Sequence, residues 1–165
     1  MEQLRVTALA PWELIVGKVV PYLGISLAAT AVILVAARLL FGIEVKGPYL
    51  ALFAATLLYL VGALGFGLLV SSIADSQAMA FQVGAIASML PAIFLSGFIF
   101  PIRSMPAALQ VVTYAVPTRY YLVVLRGVIL KGAGLSPYLW EMGCLALYAV
   151  VVLAIAMLRL VRPRE

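Results

Sequence analysis

The sequence predicts an all-α fold: a polytopic membrane bundle of four transmembrane helices with short interfacial or re-entrant helices, forming a single transmembrane domain over residues 1–165. Three observations predict it. Hydrophobic residues make up 66% of the chain and charged residues 10%, against roughly 45–50% and about 25% in a soluble domain, so the chain lacks the polar surface a water-soluble globule needs. The charges fall between long apolar runs, not within them. Those runs are apolar on all faces, without the in/out alternation of a membrane barrel, which leaves the helix as the conformation that pairs its own backbone in lipid.

Charge-free stretches at 19–37, 49–73, 76–102 and 142–158 set the spans. Each is near the roughly 20 residues a helix needs to cross about 30 Å of hydrocarbon. They predict helices over 19–41, 49–72, 77–100 and 138–159. The Leu, Val and Phe residues of the second run gain roughly 4–7 kcal/mol on insertion, at about 0.3–0.6 kcal/mol each, and no charge in the run opposes them.

Ahead of the first span, residues 2–17 mix apolar side chains with Glu2, Gln3, Arg5, Thr7 and Glu13. They predict a short amphipathic segment broken at Pro11. The segment has no uninterrupted apolar core and no small-residue cleavage site, so the first span is expected to act as its own insertion signal.

The connections differ in kind. Gly42, Gly47 and Pro48 mark a short turn after the first span, and Asp75 a tight polar turn after the second. Residues 101–137 are longer and punctuated by Pro101, Pro106, Pro117 and Pro137. Within them, 118–131 is too short to span and carries Arg119 and Arg126, seven apart and so on one helical face. An arginine at mid-bilayer costs at least about 2.5–3.5 kcal/mol. Two readings stay open for this segment: a helix that dips into the membrane and returns, or an amphipathic helix on its surface.

Inside the spans, small residues recur every four positions: Ala51, Ala55, Ala63, Gly67 and Ser71 in the second, interrupted by Tyr59, and Ala80, Gly84, Ser88, Ala92 and Ser96 in the third. Such rows let helix backbones approach closely. The glycines of Gly62-Ala-Leu-Gly-Phe-Gly67 read as packing glycines, not as a phosphate loop. Pro91 predicts a kink in the third span.

The same residues exclude several functions. There is no histidine, which removes His-containing metal sites and Ser-His-Asp triads from this chain. The lone Cys144 makes no internal disulfide. No Gly-x-x-x-x-Gly-Lys-[Ser/Thr] occurs, and no carboxylate lies deep in a span, which disfavours an ion-coupled carrier. The chain is therefore expected to be no enzyme, with no catalytic residues, no cofactor and no metal. The net charge of +5 comes from scattered membrane-flanking basics, which points to the lipid bilayer and not to nucleic acid. With four spans both termini share a side, and the positive charges divide almost evenly between the two sides.

At the level of motifs, the stretch Glu2-Gln-Leu-Arg-Val-Thr-Ala-Leu-Ala-Pro-Trp-Glu-Leu-Ile-Val-Gly-Lys18, the block Leu95-Ser-Gly-Phe-Ile-Phe-Pro-Ile-Arg-Ser-Met-Pro106, and Pro117-Thr-Arg-Tyr-Tyr121 followed by Arg126-Gly127 and Lys131-Gly132 occur in order. Together they resemble the permeases of ABC-2-type transporters. The resemblance implies a permease subunit of an ATP-binding-cassette exporter in a bacterial-type inner membrane, with cytoplasmic termini. It implies two ATPase subunits as partners and a second permease copy, identical or different. It also implies that two N-terminal helices and an external domain precede this region in the family. Residues 2–7 would belong to the coupling helix, with Glu2 and Arg5 contacting the ATPase. Residues 101–137 would lie on the outer side, with Arg103, Arg119, Arg126 and Lys131 around the outer vestibule. The alternative on the residues alone is a self-contained four-helix scaffold or small carrier, which predicts no dependence on ATP.

Overall fold

The computed structural model describes residues 11–161. Among them run six α-helices: α1 (Pro11–Phe41), α2 (Tyr49–Ile73), α3 (Gln77–Leu90), α4 (Ala107–Thr113), α5 (Pro117–Lys131) and α6 (Leu139–Val161). A π-helical turn, Pro91–Leu95, extends α3. Four of the helical runs are long and apolar enough to cross a membrane: Val16–Phe41, Tyr49–Ile73, Gln77–Leu95 and Ser136–Arg159.

Helix α1 is helical from Pro11, the first described residue, through residue 17 into the span. The residues ahead of Pro11, where a break would show, lie outside those described. Pro21 also lies within the helix. Arg38 sits in the last turn, where a cation suits the helix dipole. Gly42 then takes the left-handed conformation (φ 65°), and its N–H closes on the Arg38 carbonyl at 3.0 Å. Beyond it, Arg38 and Glu44 approach to 3.8 Å, both exposed.

The third span ends at Leu95, short of Phe100. Pro91 supplies no N–H to the ladder, and the backbone widens into the π-turn there. The Ser96 hydroxyl donates to the Ala92 carbonyl. Gly97 (φ 82°) turns the chain away. At the other end of α3, Ser76 caps the helix by accepting the Met79 N–H at 3.2 Å.

Helices α2 and α6 form the spine, running parallel. Gly62 and Gly65 are buried against α6. A Cβ on Gly62 would meet Tyr148 Cδ1 at 2.9 Å, and one on Gly65 would meet Leu153 Cδ2 at 3.1 Å. The α6 side of the seam is Leu145, Ala149, Val152 and Ala156, all buried. Of the four-residue row expected on α2, Ala51 and Ala55 are buried while Ala63, Gly67 and Ser71 are exposed. No residue of α3 is buried.

Helix α5 packs beside the first half of α2, antiparallel to it. Ala51, Leu52 and Ala55 of α2 join Val124 and Val128 of α5 in one buried cluster. The last turn of α5 reaches the α1–α2 connection, where the Lys46 N–H donates to the Ile129 carbonyl at 3.3 Å. Its first turn lies opposite Tyr59, ten residues into α2. At 1.5 Å per residue that is about 15 Å of depth, half of a roughly 30 Å hydrocarbon layer. Taking the α1–α2 connection as the top, α4 and α5 form a hairpin whose tip, Tyr114–Val116, reaches mid-depth. The tip is closed by Tyr114, Ala115 and Val116 N–H groups donating to the carbonyls of Val111, Val112 and Thr113.

Candidate functional site

Thr-x-x-Tyr occurs at 56–59 on α2 and again at 118–121 on α5. Residues three apart share a helical face, and the helices are antiparallel, so each threonine meets the other helix's tyrosine. The Thr56 and Tyr121 hydroxyls share a hydrogen bond of 3.1 Å, and the Tyr59 and Thr118 hydroxyls one of 3.2 Å. Between these bonds the Tyr59 and Tyr121 rings stack, with centroids 4.5 Å apart and planes 11° from parallel. Four hydroxyls that would each be costly unpaired in hydrocarbon thereby find partners.

This clasp lies between two cavities. Above it, a crevice of about 460 Å³ opens between α1, α2 and α5, lined by Leu34, Thr56, Tyr59, Tyr121 and Arg126 among others. Below the hairpin tip, a half-open cavity of about 770 Å³ is bordered by α2, α3, α6 and the tip itself, with Phe66, Ser88, Pro91, Pro117 and Tyr148 in its wall. Tyr59 lines both. Gly84 and Ser88 of α3 and Ala92 of the π-turn face the lower cavity, so the small-residue row of the third span makes room there.

The expected vestibule residues divide into two pairs. Arg119 and Arg126 are held by the fold. Arg119, at the hairpin tip, donates from Nη1 to the Thr113 hydroxyl and lies 3.9 Å over the Tyr114 ring. Thr113 is fully buried and donates to the Gln110 carbonyl at 2.7 Å. The Tyr120 hydroxyl adds a bond to the Tyr114 carbonyl at 2.8 Å. Arg126 donates from Nη2 to the carbonyls of Gly97 and Phe98 at 3.2 and 3.4 Å, which ties α5 to the end of the third span. Arg103 and Lys131 are exposed, and the structure does not bring them to the clasp. Glu2 and Arg5 lie outside the described residues. Among the described residues no group of His, Cys, Asp and Glu could hold a metal.

The family profile described as ABC-2 family transporter protein matches residues 1–158. The chain belongs to the ABC-2 transporter family. It is 39% identical to the Probable multidrug ABC transporter permease YbhS of Escherichia coli (strain K12) over 132 residues, which is 80% of this chain and 35% of that protein. It is 33% identical to the Probable multidrug ABC transporter permease YbhR of the same strain over 136 residues, 82% of this chain and 37% of that protein. The chain thus matches about a third of the length of these curated relatives. No solved structure matches it.

In this ABC-2 family chain, the clasp residues Thr56, Tyr59, Thr118 and Tyr121 are the functional candidates that sequence reasoning passed over. The signal was the repeated Thr-x-x-Tyr, placing hydroxyls inside apolar stretches where lipid offers them no partner.

Proposed function

We propose that this chain forms part of the translocation path of an ABC exporter permease, driven by separate ATPase subunits and working beside a second permease copy. The observation that carries the proposal is the clasp, which divides an upper crevice from a lower cavity at mid-depth. In this reading the tip of α4 and α5 is a re-entrant plug. The lower cavity takes the substrate from the cytoplasmic side. Parting α5 from α2 joins the two spaces, and re-forming the clasp separates them.

The chain's own residues supply shape and hydrogen bonds. The free energy to part them comes from ATP binding in the partner subunits, which must interact differently with the two states. Residues 2–17, with Glu2 and Arg5, would receive that stroke. The termini would be cytoplasmic in the inner membrane of a bacterial cell, the top of the bundle would face outward, and Arg103, Arg119, Arg126 and Lys131 would surround the exit. The word multidrug in the names of both E. coli relatives supports drugs as the substrate class, and the apolar wall of the lower cavity suits largely apolar ones.

The test is co-reconstitution of the chain with a candidate ATPase subunit in liposomes, reading ATP turnover and efflux of a fluorescent lipophilic dye. Tyr59→Phe should raise basal ATP turnover and weaken its coupling to efflux. If no ATPase subunit associates and neither Tyr59→Phe nor Arg5→Glu changes turnover or efflux, the proposal fails.

A further inference from the structure

The upper crevice has a chemical character of its own. It runs from the level of Tyr59 and Leu60 up to Ile43, Ile129 and Leu130, so it covers the top half of the bundle and separates α1 from α5. Its polar lining is nearly all committed. The Thr30 hydroxyl donates to the Ser26 carbonyl at 2.9 Å. Thr56, Tyr59 and Tyr121 are held in the clasp.

What remains is one cation. Arg126 is the sole charged residue of the lining, and no carboxylate faces it there. Only its Nη2 is engaged, on the Gly97 and Phe98 carbonyls. Nη1 and Nε have no hydrogen-bond partner among the described residues, and a guanidinium presents such donors as a fork matched to a phosphate or carboxylate. Arg126 sits three residues before Ile129, whose carbonyl meets the α1–α2 connection. At 1.5 Å per residue it lies about 4.5 Å below that level, at the boundary between headgroups and hydrocarbon.

We propose that this crevice binds an acidic phospholipid from the leaflet at the α1–α2 face, with its anionic headgroup on Arg126 and an acyl chain along Leu34, Leu125 and Ile129 toward Tyr59. A crevice of about 460 Å³ is within the roughly 300–1,000 Å³ of small-molecule sites, and basic pockets between membrane helices suit lipid headgroups. A zwitterionic lipid finds no acid in the lining for its ammonium, since Glu44 at the mouth already faces Arg38 at 3.8 Å, and a cationic amphiphile meets Arg126 as a like charge. Because Arg126 also holds the carbonyls that end the third span, an occupied headgroup site competes for the group that ties α5 to α3. The inference goes beyond the exporter reading and does not depend on it.

The experiment uses the full chain in neutral detergent without ATP or any ATPase subunit. Native mass spectrometry reads retention of phosphatidylglycerol against phosphatidylcholine, with size exclusion and circular dichroism confirming the fold of each variant. Wild type should retain the acidic lipid in preference. Arg126→Gln should cut that preference about fivefold, the scale of one basic group at a membrane surface. Arg126→Lys should fall between, since it keeps the charge and loses the fork. Leu130→Trp, at an exposed position of the lining, should lower retention by filling the crevice. Arg103→Gln should leave the preference unchanged. Equal retention of the two lipids by wild type overturns the proposal, as does an equal loss from Arg103→Gln and Arg126→Gln. Displacement of the lipid by inorganic phosphate alone at matched concentration also overturns it, because the site would then hold an ion and not a chain. An ATPase that fails to associate would sink the exporter reading and leave this result untouched.

Discussion

Tyr59 and Tyr121, far apart in sequence and on different helices, lie ring on ring at 4.5 Å, each with its hydroxyl bonded to a threonine one turn from the other. The pairing is reciprocal, so neither helix can slide along the other by a turn without breaking both bonds. The stack also separates the two cavities, which joins the stability of the hairpin to the continuity of the path.

The clasp predicts a specific coupling. Tyr59→Phe keeps the ring and strands the Thr118 hydroxyl, and should cost about 1–2 kcal/mol. Thr118→Val strands the Tyr59 hydroxyl at a similar cost. The double variant leaves neither group stranded, so a double-mutant cycle on thermal or denaturant unfolding in detergent should give a coupling of roughly 0.6–1.7 kcal/mol. Additive losses would show that the two hydroxyls act separately.

Glycine substitutions along α2 should sort by which face meets α6. A methyl on Gly62 meets Tyr148 Cδ1 at 2.9 Å, while one on Gly67 meets nothing within 4 Å. Gly62→Ala should lower stability by about 1–3 kcal/mol, the usual cost of overpacking. Gly67→Ala should be neutral or gain up to about 1 kcal/mol from helix propensity. Thermal unfolding of the two variants in one detergent checks the contrast.

At the top of the bundle, Gly47 is hemmed in by backbone. A Cβ there would lie 2.8 Å from the Val128 carbonyl oxygen and 3.1 Å from that of Ala133. Neither is the end of a flexible side chain. Gly47→Ala should therefore push α5 from the α1–α2 connection, and hydrogen exchange should quicken at the Lys46 amide, which donates to Ile129.

Arg119 should resist exchange for lysine. Its guanidinium both donates to Thr113 and stacks on Tyr114; an ammonium keeps the charge and loses the planar stack. Arg119→Lys should loosen the hairpin tip, read as faster hydrogen exchange over Thr113–Val116 at unchanged overall helix content. Arg119→Ala should do so more strongly, since a hydrogen bond to a charged group is worth about 1.5–3 kcal/mol.

The spans were legible in the sequence because lipid imposes one rule on every residue: a run such as Tyr49–Ile73 either carries a charge or crosses. The contacts between spans follow no such local rule. The row through Ala63 and Gly67 steps by four, but the face of α2 that meets α6 passes through Gly62 and Gly65, and which row is used depends on where α6 lies. Arg119 and Arg126 were visible as one face of a helix, yet their partners Thr113, Gly97 and Phe98 belong to segments whose approach only the tertiary fold fixes. The clasp was legible as two copies of one pattern, but its meaning rests on the antiparallel register of α5 against α2.

That mutual satisfaction also sets a toll by polarity. To part Tyr59 from Thr118 and Thr56 from Tyr121, something must offer their hydroxyls replacement partners. Water or a guest with its own donors and acceptors can do so, and a bare hydrocarbon cannot. The septum therefore discriminates by what a molecule can exchange with it as well as by whether it fits, and an apolar compound would need a polar handle to go through.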